Sequence, residues 1–103
     1  MWGVKPNILC RKHLLGEHLE IHMFVGTILA DKSIKGYLKN KLLDTRKLKK
    51  RHKELVREMK WRGYKHKSSL PKFFIEKIGA IDIKENKVEL FKRCKDCRKN
   101  IKE

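Results

Sequence analysis

Apolar residues recur at helical spacing through the first third of the chain. Ile8, Leu15, Leu19 and Met23 mark one stripe, and Leu14, Ile21, Val25 and Ile28 mark the adjoining one. The pattern predicts a long helix beginning near Asn7 or Ile8, with Asn7 after Pro6 as its cap. Some twenty residues at about 1.5 Å each span about 30 Å, enough to cross a small core. Gly16 and Gly26 interrupt this stripe, and close packing of another segment is the expected reason. A second helix is predicted from Asp44 to Arg62, with Leu48, His52, Leu55, Val56 and Met59 on one face, Asp44 as N-cap and Gly63 just past the end. Between the two, Asp31 to Leu43 reads as a short helical turn plus loop. Ser68-Ser69-Leu70-Pro71 reads as the start of a short helix closed by Gly79. Ile81 and Ile83 alternate with polar residues as in a strand. Asn86, with Glu89 three residues on, then opens a last helix whose stripe is Leu90, Cys94, Cys97 and Ile101. The expectation is an all-α, mainly helical, compact single domain over residues 1–103, with about three main helices, short extra helical turns and no internal repeat.

Composition narrows the class of protein. A chain of 103 residues, 40% of them apolar, supports one small core. No apolar run approaches the roughly 18 residues of a membrane span, and Met1-Trp2-Gly3-Val4-Lys5-Pro6 lacks a signal-peptide layout. A soluble, cytoplasmic, nucleoid-associated monomer is expected. The formal net charge of +16 is unevenly spread: +1 over residues 1–30, +11 over 31–67 and +4 over 68–103. Such a basic middle favours a polyanion, with nucleic acid the first candidate. Arg46, Lys47, Lys49, Lys50, Lys53, Arg57 and Lys60 surround the side of the second helix away from its apolar face, and Arg46 and Lys50 are assigned to DNA contact.

The densest chemistry lies in the first helix, in His13-Leu14-Leu15-Gly16-Glu17-His18-Leu19-Glu20-Ile21-His22. At 100° per residue, His13, Glu17 and Glu20 share one stripe, while His18 and His22 stack on a neighbouring one. A plain solvated face would be richer in Lys, Glu and Gln; three histidines with two glutamates have the composition of a site. One chemistry that fits is a divalent metal on His18 and His22 with Glu17 or Glu20, giving a metal-dependent hydrolase or nuclease. The sequence offers no identifiable third ligand, and the glutamate placement differs from the zinc-protease helix, so no metal and no cofactor are assigned. The other is a glutamate acting as general acid or base beside a nucleophile supplied elsewhere. Three cysteines cannot all pair within one chain, so no disulfide framework is expected. Cys94 and Cys97 fall on the apolar stripe of the last helix and read as core packing, with metal binding together with Cys10 and a histidine, or redox chemistry, as alternatives. Trp61, Tyr64, Phe73 and Phe74 read as core or helix-end anchors; Trp2, beside the amino terminus, is exempted.

The His13-to-Ile21 segment resembles the motif of the pyrimidine-dimer DNA glycosylase/AP lyases of the phage endonuclease V type: His, Leu, an apolar residue, a small residue, Glu, an aromatic or His, any residue, then Glu and an apolar residue. A second block in the matching order is similar as well: Leu48-Lys49-Lys50-Arg51-His52-Lys53-Glu54-Leu55 through Arg62-Gly63-Tyr64-Lys65-His66-Lys67-Ser68. The resemblance implies a compact helical domain acting on damaged double-stranded DNA, at a pyrimidine dimer or an abasic site. It implies that the nucleophile is the α-amine of the first residue and that Glu20 is the essential carboxylate. An α-amine titrates near 7.7 to 8, so a useful fraction is neutral and nucleophilic at cellular pH. Trp2 is too bulky for efficient removal of the initiator, which leaves Met1 as the nucleophile and Trp2 beside the reacting sugar or base. Arg11, His13, His18 and His22 join Trp2, Arg46 and Lys50 as expected substrate and DNA contacts. Glu17 is expected to be chiefly structural, paired with Arg11, Lys12 or a neighbouring helix. Leu19 and Met23 stand where phage members carry DNA-contacting arginines. A non-catalytic basic nucleic-acid-binding protein is the alternative from another class; it explains the charge but leaves the His/Glu stripe without a role.

Overall fold

A computed structural model describes residues 1–66 and 69–100. The protein is all-α, with five helices among the described residues: α1 (Arg11–Leu29), α2 (Lys35–Lys39), α3 (Leu48–Trp61), α4 (Ile83–Arg93) and α5 (Lys95–Lys99). Leu14, Ile21, Phe24 and Val25 of α1 pack with Leu48, Leu55 and Met59 of α3. Met1, Val4, Leu9, Leu43, Phe73, Leu90 and Cys97 close the same core from the connecting segments and from α4 and α5.

The first helix starts later than its apolar stripe suggests. Pro6–Ile8 form a single 3-10 turn, and the chain then runs extended through Leu9 to Cys10, which holds the N-cap position of α1. The cause is tertiary: Arg62 donates to the carbonyls of Pro6 (3.1 Å) and Leu9 (2.6 Å), while the Leu9 side chain is fully buried. Asn7 therefore caps nothing. Gly16 and Gly26 face open space, with no other segment within 4 Å of where a Cβ would stand, so close packing does not account for them.

The second helix follows its pattern. The Asp44 side chain accepts from the Arg46 backbone N–H and so caps a 3-10 turn over Thr45–Lys47 rather than α3 itself, which starts at Leu48 with Lys47 in the N-cap position and ends before Gly63 at φ +85°. The turn predicted between the long helices is α2.

No helix forms over 69–79. That stretch pairs instead with the chain entering α3: Thr45 N–H donates to Ile78 O (3.0 Å), and Ile78 N–H donates to the Thr45 hydroxyl (2.9 Å). Gly79, expected to close a helix, marks a close crossing at φ +88°, where a Cβ would overlap the Leu43 carbonyl and stand 2.7 Å from Leu38. Ser68 and Ile101 lie outside the described residues.

The end of the chain also departs from expectation. Asp82, not Asn86, caps α4 by accepting from Glu85 N–H (3.0 Å), so Ile83 is helical, and Ile81 packs against Gly3. The single last helix is broken at Cys94, which is extended (φ −126°, ψ 105°) and separates α4 from α5. Phe73 is in the core and Tyr64 half-buried, whereas Trp61 and Phe74 are 84% and 94% exposed and anchor nothing. Among the described residues no helix is long and apolar enough to cross a membrane.

Candidate active site

Chain termini usually fray; here the first residue is tied down on three sides. The Met1 side chain is buried, and Gly3 turns the backbone at φ +74°, where a Cβ would collide with Ile81. Asn86 Nδ2, from inside α4, donates to the carbonyls of both Met1 and Trp2 at 3.1 Å. The α-amine donates to Leu42 O at 3.0 Å and lies 2.6 Å from Glu20 Oε1. An amine in direct contact with a carboxylate that is itself 36% exposed can pass it a proton and present its lone pair to an incoming electrophile. Trp2, the next residue in the chain, is half-buried.

Glu17 lies one turn earlier, with a different environment. It is buried and takes both arms of Arg51 from α3, at 2.5 Å (Nε to Oε2) and 3.0 Å (Nη2 to Oε1). Of its expected partners, the neighbouring helix is the one found; Arg11 and Lys12 are exposed. Arg51 also donates to Val4 O (2.7 Å) and to Glu54 (3.2 Å), so the buried guanidinium braces the segment leading from Met1. Burial alone would depress its pKa, but the hydrogen bonds and charge of Glu17, then of Glu54, outweigh that and raise it.

The histidines separate into two groups, neither beside the amine. His13 faces the cysteines: its Nδ1 is 3.2 Å from Cys10 Sγ and 3.6 Å from Cys97 Sγ, and its ring meets Trp2 edge-on at 5.9 Å. His18 and His22 each lie about 160° around α1 from Glu20 on a 100° wheel. They meet His52 of α3 and His66, which follows α3: His18 Nε2 is 3.0 Å from His66 Nε2, and His22 Nε2 is 3.3 Å from His52 Nε2. Burial, then the charges of His22, His52 and His66, pushes the His18 pKa down to about 4, so this imidazole is neutral at neutral pH.

The expected DNA contacts vary in accessibility. Lys50 is exposed, and Arg11 is exposed over the Tyr64 ring at 5.4 Å. Arg46 turns its guanidinium to Asp44 (3.0 and 3.1 Å) and Gly79 O (3.3 Å), though its side chain remains half-exposed. Leu19 is 70% exposed and Met23 43% exposed, on the face of α1 next to Glu20. Sequence reasoning missed Asn86, Arg51, Arg62 and His66 as positioning residues, because each acts on a segment remote in the chain. His52 gave one local signal, a polar residue within the apolar stripe of α3.

A family model described as pyrimidine dimer DNA glycosylase matches residues 1–72, a span that contains Met1, Glu20, α1 and α3. No curated protein and no solved structure matches the chain. With the match covering well over half of its residues, the chain belongs to the pyrimidine dimer DNA glycosylase family.

Proposed function

We propose that this DNA glycosylase is also an AP lyase whose nucleophile is the Met1 α-amine. The observation carrying this reading is the 2.6 Å contact between that amine and Glu20 Oε1. In the proposed course Glu20 takes a proton from the ammonium, and the freed lone pair attacks C1′ of the damaged nucleotide. The glycosidic C1′–N bond breaks, its electron pair leaves with the base, and the sugar ring opens to an iminium joining C1′ to the Met1 nitrogen. Loss of a C2′ proton then expels the 3′ phosphate oxygen, cutting the strand by β-elimination; water hydrolyses the imine and frees the enzyme. Glu20 stabilises the cationic intermediate and moves protons in the elimination. Abasic DNA enters the same course after base loss. In this reading Trp2, the next residue in the chain, contacts the sugar or base.

Borohydride reduction during incubation with abasic or dimer-containing duplex tests this. A covalent protein–DNA adduct mapping to the N-terminal residue, itself identified by intact mass, is the expected outcome. Active protein that gives no adduct, or whose terminus is acetylated, overturns the lyase reading. Equal affinity for damaged and intact duplex, with no cleavage, would leave a non-catalytic binder.

Double-stranded DNA is proposed to lie along the exposed side of α3, where Lys49, Lys50, Lys53, Arg57 and Lys60 are all exposed. Removing one cation that neutralises a phosphate should lower the slope of log affinity against log salt by about 1, for damaged and intact duplex alike. A Lys50→Ala/Lys53→Ala variant is therefore expected to show a shallower slope in binding measured across a salt series. An unchanged slope would turn this face to solvent. Because Arg46 is already neutralised by Asp44, its removal should change the slope less than that of Lys50.

A further inference from the structure

From the side-chain clusters that this reaction does not use, we infer that Cys10, His13, Cys94 and Cys97 form a tetrahedral zinc site. The inference does not rest on the lyase reading, and two of the four residues lie beyond the matched span 1–72. The ligand atoms all fall within 4.8 Å of one another. The Cys10 and Cys94 sulfurs are 3.7 Å apart, and the His13 Nδ1-to-sulfur distances are 3.2 Å to Cys10 and 3.6 Å to Cys97. A tetrahedral ion with Zn–S near 2.3 Å and Zn–N near 2.05 Å requires edges of about 3.8 Å between sulfurs and about 3.6 Å between sulfur and nitrogen. The 3.7 Å sulfur pair and the 3.6 Å His13–Cys97 pair match those edges, and the 3.2 Å His13–Cys10 pair is shorter.

The backbone is shaped for thiolates as well. Cys97 N–H points at Cys94 Sγ (3.4 Å), and Cys10 N–H points at Cys97 Sγ (3.1 Å), each a donor to a sulfur that carries negative charge when metal-bound. The break between α4 and α5 falls at Cys94 and allows this turn, which a continuous helix would not. Three cysteines and one histidine in a tetrahedron are a soft, closed donor set, which selects zinc and leaves no position for substrate. On binding, the thiols still protonated release their protons to solvent as the three Zn–S bonds form. The ion would tie the start of α1 to α4 and α5, and α4 carries the Asn86 that holds Met1 and Trp2.

A separate observation carries a second centre. We infer that His18, His22, His52 and His66 bind a divalent transition metal through imidazole nitrogens. The His22–His52 Nε2 pair at 3.3 Å matches the edge of about 3.3 Å for metal–nitrogen bonds near 2.05 Å, the His18–His66 pair at 3.0 Å is shorter, and one ligand atom from each of the four rings lies within 4.8 Å of the others. Four imidazoles fill a tetrahedron, so this ion too would be structural, clamping α1, α3 and the segment after α3 rather than activating water.

Metal analysis and cobalt(II) substitution of the full chain test both. Two tightly held equivalents are expected after desalting. The cobalt form should show thiolate-to-metal charge-transfer bands alongside tetrahedral d–d bands. Cys94→Ser should lose one equivalent and the charge-transfer bands with it; His66→Gln should lose one equivalent and leave those bands unchanged. Should a variant fail to fold, chelation of the wild type with readdition of zinc decides: a melting temperature that falls and then recovers supports the sites. Charge-transfer bands that are absent, three thiols alkylated equally fast with and without zinc, or a Cys10–Cys94 disulfide in protein that takes up no metal would overturn the cysteine site. A full metal complement in His66→Gln would overturn the histidine site.

Discussion

Glu20→Gln is expected to lower strand cleavage by about two to four orders of magnitude while leaving the fold and DNA binding intact. The substitution keeps the size of the side chain and barely alters its preference for helix. It removes the proton acceptor 2.6 Å from the Met1 amine and the negative charge facing the cationic intermediate. Single-turnover cleavage of an abasic duplex, read beside affinity for the same duplex, separates the two effects. Cleavage near the wild-type rate with unchanged affinity would show that the amine reacts without this carboxylate, or that the amine is not the nucleophile.

Glu17→Gln should have the opposite profile, with a large loss of stability and a small loss of activity per folded molecule. Its carboxylate is buried against Arg51, whose side chain is 4% exposed, so neutralising it strands a guanidinium in the core. Removing one partner of a buried pair costs about 3 to 5 kcal/mol, and the lower end applies here because Glu54 and Val4 O remain beside Arg51. For a domain of this size that is a fall in melting temperature of more than about 10 °C. Replacing both residues together, Glu17→Met with Arg51→Met, should recover most of the loss, since it strands no charge. Thermal melts of the three variants check this. A Glu17→Gln protein as stable as wild type would mean that water reaches the pair and screens it.

The two glutamates sit three residues apart on one stripe, and nothing local distinguishes them. Resemblance to the phage-type enzymes points to Glu20 as the essential carboxylate, but the physical difference arises only in the folded chain. Glu17 turns toward α3 and meets Arg51, 34 positions away; Glu20 turns toward the amine and solvent. Arg51 is the reverse case. It lies in a run of basic residues that reads as solvated surface, yet it is the cation that the core takes in.

The cysteines and histidines show where periodicity stops being informative. Cys94 and Cys97 do fall on the apolar stripe of a continuous helix, but the helix is not continuous. Its break at Cys94 turns a packing stripe into half of a cluster whose other half lies 84 positions away, at Cys10 and His13. His18 and His22 are visible as a pair at i and i+4, while the partners that complete them, His52 and His66, come from a helix and a loop that meet α1 only on folding.

Local pattern suffices for the helical class, the buried Leu14, Ile21 and Val25 stripe of α1 but not its Leu19 and Met23 stripe, which is exposed, the register of α3, the caps at Asp44 and Gly63, the basic face of α3 and the stripe that carries Glu20. These follow from 3.6-residue periodicity, capping chemistry and charge counting, all of which act within a few residues. The later start of α1, the crossing at Gly79, the Asn86 and Leu42 anchors of Met1, the Glu17–Arg51 pair and both side-chain clusters arise only in the folded chain. Each depends on burying a polar group or carbonyl against a partner dozens of residues away, and the free energy of that contact outweighs the weak local preference that a sequence pattern records.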